Sequence, residues 1–180
     1  MASWSAIARR IRVPLGFVFA VLFLWLAKPT VKSVLVGASL IIPGLVIRAL
    51  ASGHLQKNEQ LATGGPYAHT RNPLYLGSLI LAVGFAVTAR SWWIAAGIVL
   101  IFFAIYVPVI RAEEAFLRER FPQFEDYARE VPILLPRLSA VGKPGGGFSW
   151  DLYWKHREYN AALGSAAMIA ALIAKVLTRR

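Results

Sequence analysis

The sequence predicts an all-α, polytopic integral-membrane protein: a helical bundle of about five transmembrane helices with a cytosolic amphipathic segment. Three observations lead to this prediction. The 180 residues are 57% hydrophobic and only 16% charged, whereas soluble domains have about 45–50% apolar and about 25% charged residues. The apolar residues form five runs, and all nine acidic residues lie outside them. A chain that crosses hydrocarbon must satisfy its backbone internally, which favours helices.

The apolar runs are the candidate spans, since a membrane helix needs about 17–25 residues. They cover residues 13–27, 34–47, 74–89, 92–110 and 161–177. The first is short unless Arg12 and Lys28 extend toward the interfaces. The fifth is interrupted by Lys175 and leads to a basic C-terminus. Either that terminus lies outside the cell or the last helix does not span the membrane.

Two long polar segments, 52–72 and 111–137, flank the third and fourth spans. A hairpin of those spans brings both segments to one membrane face, where we expect a functional site. The second segment is typical of an amphipathic helix that continues from span four and breaks near Pro122. Residues 138–180 form a linker and a C-terminal helix, and we expect 1–180 to be a single membrane domain.

The net charge of +11 is mostly a topology signal. With a cytosolic N-terminus, 14 of the 20 Lys and Arg residues fall on the face that carries the two polar segments, as the positive-inside rule requires of a cytosolic face. The basic residues form no nucleic-acid-binding motif, so we expect no nucleic-acid partner. The absence of cysteine excludes disulfides, thiol catalysis and Cys-based metal sites, and we predict no metal site.

The first polar segment contains residue types that bind small molecules. Gly64-Gly65 allows a turn and a close backbone approach to a ligand. Arg71 offers a forked carboxylate binder, and Asn72-Pro73 suits a helix start, with Asn as N-cap and Pro at the first helical position. The alternative is that this segment is only a capped loop.

The second polar segment contains Glu113-Glu114, just beyond span four. Adjacent carboxylates near an interface are unfavourable unless a positive group faces them. A cationic ligand would provide one. The alternative is a helix salt bridge between Glu114 and Arg118, four residues apart.

In order, these motifs resemble the isoprenylcysteine carboxyl methyltransferase family and its relatives, the phospholipid methyltransferases. The family pattern is a Gly-x-Tyr turn, an Arg-His-Pro-x-Tyr-x-Gly motif, a Glu-Glu pair after the next helix, and an aromatic-rich segment ending in Val-Pro. The matching residues are Gly65-Pro66-Tyr67, Arg71 to Gly77, Glu113-Glu114, and Phe121 through Tyr127 to Val131-Pro132. The resemblance covers roughly residues 45–137. It implies a small integral-membrane enzyme that uses S-adenosylmethionine.

Two departures from the family pattern bear on the chemistry. Asn72 stands where the motif has histidine, and His69 could replace that imidazole, although a solvated loop histidine is the simpler interpretation. The animal enzymes place a substrate-binding arginine one helical turn before the acidic pair. This chain has Val109 and Ile110 there, and its nearest arginine is Arg111.

The resemblance implies a methyl transfer to a lipophilic acceptor, isoprenylcysteine-carboxylate-like or phospholipid-like, that enters from the bilayer among the membrane lipids. The cofactor would enter from the cytosol, at the cell membrane or an endomembrane. The implied catalytic residues are Arg71, Asn72, Arg111 and Glu113. The implied cofactor-binding residues are Gln56, Lys57, Gln60, Leu61, Ala62, Tyr67, Asn72, Pro73, Leu74, Tyr75, Glu113 and Glu114.

Two other functions stay open at this point. One is an NADPH-dependent membrane reductase of the sterol reductase type. It would need several basic residues for the 2′-phosphate, and only Lys57 and Arg71 lie near the loop. The other is a non-catalytic membrane protein, such as a small transporter or scaffold. Apart from Arg48, near the end of span two, no charge lies within the first four runs to mark an ion pathway.

Overall fold

The computed structural model describes residues 18, 20–56, 59–141 and 147–178. Within these ranges every regular element is helical, as predicted. The helices are α1 (residues 20–26), α2 (Val31–His54), α3 (Pro73–Ala89), α4 (Trp92–Arg120), α5 (Phe124–Glu130), α6 (Trp150–Lys155) and α7 (Tyr159–Thr178), with a 3₁₀ turn at Gly65–Ala68.

Three of these helices are long and apolar enough to cross a membrane. They are α2 with 24 residues, α4 with 29 and α7 with 20, whereas α3 is apolar but has 17 residues. Predicted spans two to five therefore correspond to α2, α3, α4 and α7. Of predicted span 13–27, residues 13–17 and 19 lie outside the described residues, and the helix described within it covers residues 20–26.

Helices α2 and α3 pack against each other through small residues. A side-chain carbon at Gly44 would lie 2.9 Å from the carbonyl oxygen of Gly77, and one at Gly84 would lie 2.9 Å from the carbonyl oxygen of Gly37. Such contacts let two helix backbones approach closely, which is how helices associate within lipid. The crossing positions the end of α2 beside the start of α3.

Helix α4 is continuous but contains a π-helical turn at Phe102–Tyr106. Pro108 explains it, because proline has no N–H to donate and its ring crowds the preceding turn. The helix ends at Arg120, and residues 121–123 separate it from α5, so the helix breaks near Pro122 as predicted.

Helix α7 extends along the bundle. It begins beside α2, where Glu158 pairs with Arg48. It ends beside α1, where Leu172 packs in a buried cluster with Phe23. There the Lys175 ammonium donates to the carbonyls of the last turn of α1, at 3.2 Å for Trp25. A cation at a helix C-terminus is favourable, so the lysine that interrupts the fifth run has a structural role.

Candidate functional site

A cleft of about 880 Å³ lies where the two polar segments meet. Direct contacts join the segments. The backbone N–H of Arg71 donates to the Pro132 carbonyl at 2.9 Å, and the Tyr127 hydroxyl donates to the Tyr67 carbonyl at 2.7 Å. The hairpin of α3 and α4 therefore brings 52–72 and 111–137 together at one end of the bundle.

The 3₁₀ turn of the first segment depends on Gly65. Its φ is +56°, in the left-handed region that glycine adopts without strain. A side-chain carbon there would also lie 2.6 Å from the His54 ring. The turn buries Tyr67 against the cleft.

The acidic pair has two different environments. Glu114 is buried, and its Oε1 lies 3.4 Å from Arg71 Nε and accepts from Asn72 Nδ2 at 3.3 Å. Glu113 is exposed and lines the cleft. The alternative pairing of Glu114 with Arg118 is wrong, because Arg118 pairs with Glu125 instead. A buried carboxylate needs compensation, and the first segment provides it.

Asn72 starts α3 in an unexpected way. The helix begins at Pro73, as predicted, but the Asn72 side chain makes no cap hydrogen bond to it. Its Nδ2 instead donates to the Ile133 carbonyl at 2.9 Å and to Glu114. The prediction of a side-chain cap is therefore wrong, because the Ile133 carbonyl and Glu114 accept from the Asn72 amide instead.

Two tyrosines beside the cleft stay neutral through the physiological range. Burial raises the pKa of Tyr67 well above its ordinary value, and the neighbouring Tyr127 raises it further. Burial also raises the pKa of Tyr127, partly opposed by the Arg71 guanidinium. Tyr75 lies across the cleft with its ring edge-on to Tyr106, at 5.8 Å between centroids. The cleft therefore offers aromatic faces without phenolate charge.

Two buried polar atoms at the cleft have no hydrogen-bond partner among the described residues. They are Ser52 Oγ and Arg71 Nε. Arg71 Nε lies within ion-pair distance of Glu114 but outside hydrogen-bond geometry. Most buried polar groups are satisfied, so such atoms call for a partner. Here both atoms belong to residues that line the cleft.

The cleft gathers most of the residues implied by the sequence. Its lining includes Gln56, Gln60, Leu61, Ala62, Tyr67, Arg71, Asn72, Pro73, Leu74, Tyr75, Glu113 and Glu114. Lys57 lies outside the described residues. Arg111 is exposed and is not part of the lining. On α4 the lining positions are 106, 109, 112, 113, 114, 116 and 117, so Arg111 lies between lining positions without being one, and its catalytic role stays a prediction.

Part of the cleft lining was not predicted from the sequence. His156 and Glu158, from the turn between α6 and α7, line the cleft. The His156 Nδ1–H donates to the Ser52 carbonyl at 3.2 Å. His69, considered as the substitute imidazole, contacts the Arg137 carbonyl and does not line the cleft. No motif connects residues 156–158 to the earlier segments. The one signal was Arg48, near the end of span two, whose charge in an apolar helix requires a carboxylate partner, and that partner is Glu158.

A second cavity of about 390 Å³ lies next to the cleft, among the helices. Apolar side chains of α1, α3, α4 and α7 dominate its walls, including Phe23 and Met168. It shares three lining residues with the cleft: Arg48, Ser78 and Tyr106. A polar cleft and an apolar cavity therefore meet at these three side chains.

Comparison with known proteins identifies the family. The phospholipid methyltransferase family model matches residues 33–123, which is half of the chain and includes α2 from its third residue, α3, α4 and most motif positions. The chain belongs to the phospholipid methyltransferase family. The match ends before α5 and before the turn that carries His156 and Glu158.

The chain is also similar to individual proteins of this kind. It is 36% identical over 139 residues to the cobalt-zinc-cadmium resistance protein CzcN of Cupriavidus metallidurans, which covers 77% of this chain and 62% of the relative. It is 42% identical over 84 residues to the nickel-cobalt-cadmium resistance protein NccN of Alcaligenes xylosoxydans xylosoxydans, covering 47% of this chain and 39% of the relative.

A plant relative has a name that describes methyl transfer. The chain is 34% identical over 114 residues to a probable protein-S-isoprenylcysteine O-methyltransferase of Oryza sativa, covering 56% of this chain and 60% of the relative. The chain thus spans between about two fifths and three fifths of the length of these curated relatives. No solved structure matches it.

Proposed function

We propose that this protein is an integral-membrane methyltransferase that moves a methyl group from S-adenosylmethionine to a lipophilic acceptor. One observation supports this most strongly. A cleft lined by three carboxylates, two arginines and four tyrosines adjoins an apolar cavity among the membrane helices, and the two share three lining residues. That combination suits one polar, charged ligand and one apolar ligand whose reactive ends meet.

The cleft residues fit the chemistry of the cofactor. S-adenosylmethionine supplies an electrophilic methyl group on a cationic sulfur. Glu113 would accept from the ribose hydroxyls or the ammonium of the bound cofactor, and buried Glu114 would fix Arg71 beside it. Arg71 would bind the cofactor carboxylate, because its Nε lacks a hydrogen-bond partner among the described residues. Tyr67 and Tyr75 would provide neutral aromatic faces, which attract cations.

Methyl transfer by displacement depends mainly on positioning, since the two reactants must be held in line. The apolar cavity would hold the hydrocarbon part of the acceptor. Its reactive group would then lie near the boundary residues Ser78 and Tyr106. We further propose that the cleft faces the cytosol, where a water-soluble cofactor is available.

The family match favours methyl transfer over the reductase and over a non-catalytic role. The charges of the cleft point the same way. Among the described residues its lining contains two arginines, Arg48 and Arg71, which is fewer than the several basic residues that the 2′-phosphate of NADPH would need.

Thermal unfolding of the purified protein in a neutral detergent tests this proposal. S-adenosylhomocysteine should raise the unfolding midpoint, because a ligand of the native state stabilises it by RT ln(1 + [L]/Kd). NADPH should not. Glu113→Gln and Arg71→Ala should each lose most of the S-adenosylhomocysteine shift.

Glu119→Gln is a matched control, because Glu119 is also exposed on α4 but does not line the cleft. It should keep the full shift. A midpoint that rises with NADPH alone would contradict the proposed function. An unchanged S-adenosylhomocysteine shift in both cleft variants would mean that the cofactor binds elsewhere.

A further inference from the structure

Arg48 is a charged residue inside an apolar helix, in a span-forming part of α2. Ionisable side chains in membrane-spanning segments are unfavourable and usually have a functional role. Its guanidinium makes two parallel contacts with Glu158, Nε to Oε1 at 2.7 Å and Nη2 to Oε2 at 3.0 Å. Its Nη1 donates to the Ser78 hydroxyl. Arg48 is therefore held as a bidentate carboxylate binder.

The position of this carboxylate binder is informative. Arg48 and Ser78 line both the cofactor cleft and the apolar cavity, whereas Glu158 lines only the cleft. An acceptor whose hydrocarbon fills the cavity and whose polar end reaches the cleft would pass the shared residues Arg48, Ser78 and Tyr106. The Glu158 carboxylate would then stand next to that end, on the cleft side.

The segment that carries Glu158 is a turn rather than a rigid element. Residues 156–158 connect α6 to α7, and Arg157 has a φ of +54°, which is unfavourable for a residue with a side chain. The carboxylate is thus held on Arg48 by a strained turn. Exchange of Glu158 for another anion would need the Glu158 side chain to rotate away from Arg48 or the turn to move.

We propose that Arg48 binds the anionic head group of the methyl acceptor, and that Glu158 occupies the same guanidinium until the acceptor displaces it. The acceptor class is a lipophilic anion, with a carboxylate or phosphate at its polar end. This inference rests on the proposed methyltransferase function. In this proposal Arg48 on α2 binds the acceptor head group. The helical turn before Glu113 has no arginine for that role, because Val109 and Ile110 stand there.

A neutral acceptor would fit these contacts poorly. It would leave the Arg48–Glu158 pair intact across the boundary between the two cavities, where it obstructs contact between the ligands. An anion replaces one carboxylate by another at the same guanidinium. The forked geometry of arginine matches both carboxylate and phosphate oxygens.

The test compares anionic and neutral amphiphiles with the same chain. The full-length protein in a neutral maltoside detergent is titrated with oleate, oleyl phosphate, oleamide or oleyl alcohol, with and without saturating S-adenosylhomocysteine. Oleate, oleyl phosphate or both should raise the unfolding midpoint, while the two neutral compounds should not. The oleate and oleyl phosphate arms distinguish a carboxylate from a phosphate head group.

Variants of the pair separate anchoring from general stability. Glu158→Gln removes the internal competitor, so the apparent Kd for the preferred anion should fall by roughly tenfold if only about a tenth of the molecules otherwise have Arg48 available. Arg48→Met should abolish anion binding but risks misfolding, because it leaves Glu158 uncompensated. Arg48→Met/Glu158→Gln removes both charges, which folded proteins often tolerate, and it too should not bind the anion.

The exposed pair Arg118–Glu125 gives the matched control, since Arg118→Met/Glu125→Gln should leave anion binding unchanged. Equal shifts with neutral and anionic amphiphiles would overturn the proposal, as would unaltered anion affinity in Arg48→Met/Glu158→Gln. An anion shift without any S-adenosylhomocysteine shift would support Arg48 as the anchor and contradict the proposed function. The two failures are thus distinguishable.

Discussion

Asn72 connects three parts of the site through one side chain. It precedes the first residue of α3, its amide donates to the Ile133 carbonyl after α5, and it also donates to Glu114 on α4. The residue is buried, its contact with Glu114 is buried too, and its contact with Ile133 is partly buried. Asn72 therefore positions the acidic pair relative to both polar segments.

Asn72→Asp should destabilise the protein in a pH-dependent way. The new carboxylate cannot donate to the Ile133 carbonyl and lies next to Glu114. We expect a loss of about 1–3 kcal/mol at pH 8, as for other unsatisfied buried groups. The loss should be smaller at pH 5, because the burial and the like charge raise the pKa of the new Asp carboxyl and favour its protonated form.

Thermal unfolding at the two pH values measures this effect. Gln123→Glu is the control, because it makes the same change of chemistry at an exposed position between α4 and α5. It should unfold like the wild type at both values. An equal loss at pH 5 and pH 8 for Asn72→Asp would contradict the electrostatic part of the explanation.

Individual residues also mark the limit of what the sequence predicts. Pro73 fixes the start of α3, because a proline is favoured at the first helical position. The sequence predicted the same helix start but assigned the Asn72 side chain to capping. The actual partners lie 42 and 61 residues away, and no local pattern reports such separations.

At the scale of elements, the close packing of α2 on α3 depends on glycines at the positions where the two helices touch. A side-chain carbon at Gly44 would meet two backbone atoms of α3, the Gly77 carbonyl oxygen and the Leu81 nitrogen, both at 2.9 Å. Backbone atoms cannot move aside as a flexible side chain can. The helices would have to separate.

Gly44→Ala should therefore lower the free energy of unfolding by about 1–3 kcal/mol, the usual range for overpacking. Gly164→Ala is the matched control, since a side-chain carbon at Gly164 on α7 would meet nothing within 4 Å. It should be neutral or stabilising by up to about 1 kcal/mol, because alanine favours helix. Unfolding by denaturant or heat in detergent compares the two. Equal effects of the two substitutions would contradict the close-packing argument.

The helices themselves could be predicted because their apolar runs are long and bounded by polar residues. α3 follows that pattern, and the end of α4 was predicted separately from Pro122. What the runs do not specify is which helices touch. The contact between the end of α7 and α1 depends on Lys175 reaching carbonyls about 150 residues earlier in the chain, and composition alone marked that lysine only as an interruption.

At the scale of the whole molecule, the candidate site is assembled from distant segments. The sequence predicted the meeting of 52–72 and 111–137, because the motif order and the hairpin require it. It did not predict His156 and Glu158, since they follow a linker of undefined geometry and match no motif. The match to the phospholipid methyltransferase family also ends at residue 123, before these two residues.

The proposed orientation can be tested because the chain has no native cysteine. Gln123→Cys places a cysteine at the cleft end of the bundle. Lys28→Cys places one beside the C-terminal end of α3, and the two ends of that helix are roughly 26 Å apart at 1.5 Å per residue. In intact cells, a membrane-impermeant maleimide should label Lys28→Cys at once and Gln123→Cys only after permeabilisation. The reverse pattern would put the cleft outside the cytosol and contradict the charge argument.

The π-helical turn at Phe102–Tyr106 affects how the two halves of α4 are rotated relative to each other about the helix axis. Each added or removed residue turns the rest of a helix by about 100° about its axis. The turn therefore sets the angle between the lipid-embedded half and the half that bears Glu113 and Glu114. Deleting one residue of this turn other than Tyr106 would keep the side chains of the site, yet it would rotate the acidic pair about the helix axis and take Glu114 away from Arg71. The geometry of the acidic pair is thus specified inside the bilayer, about two turns before the residues themselves.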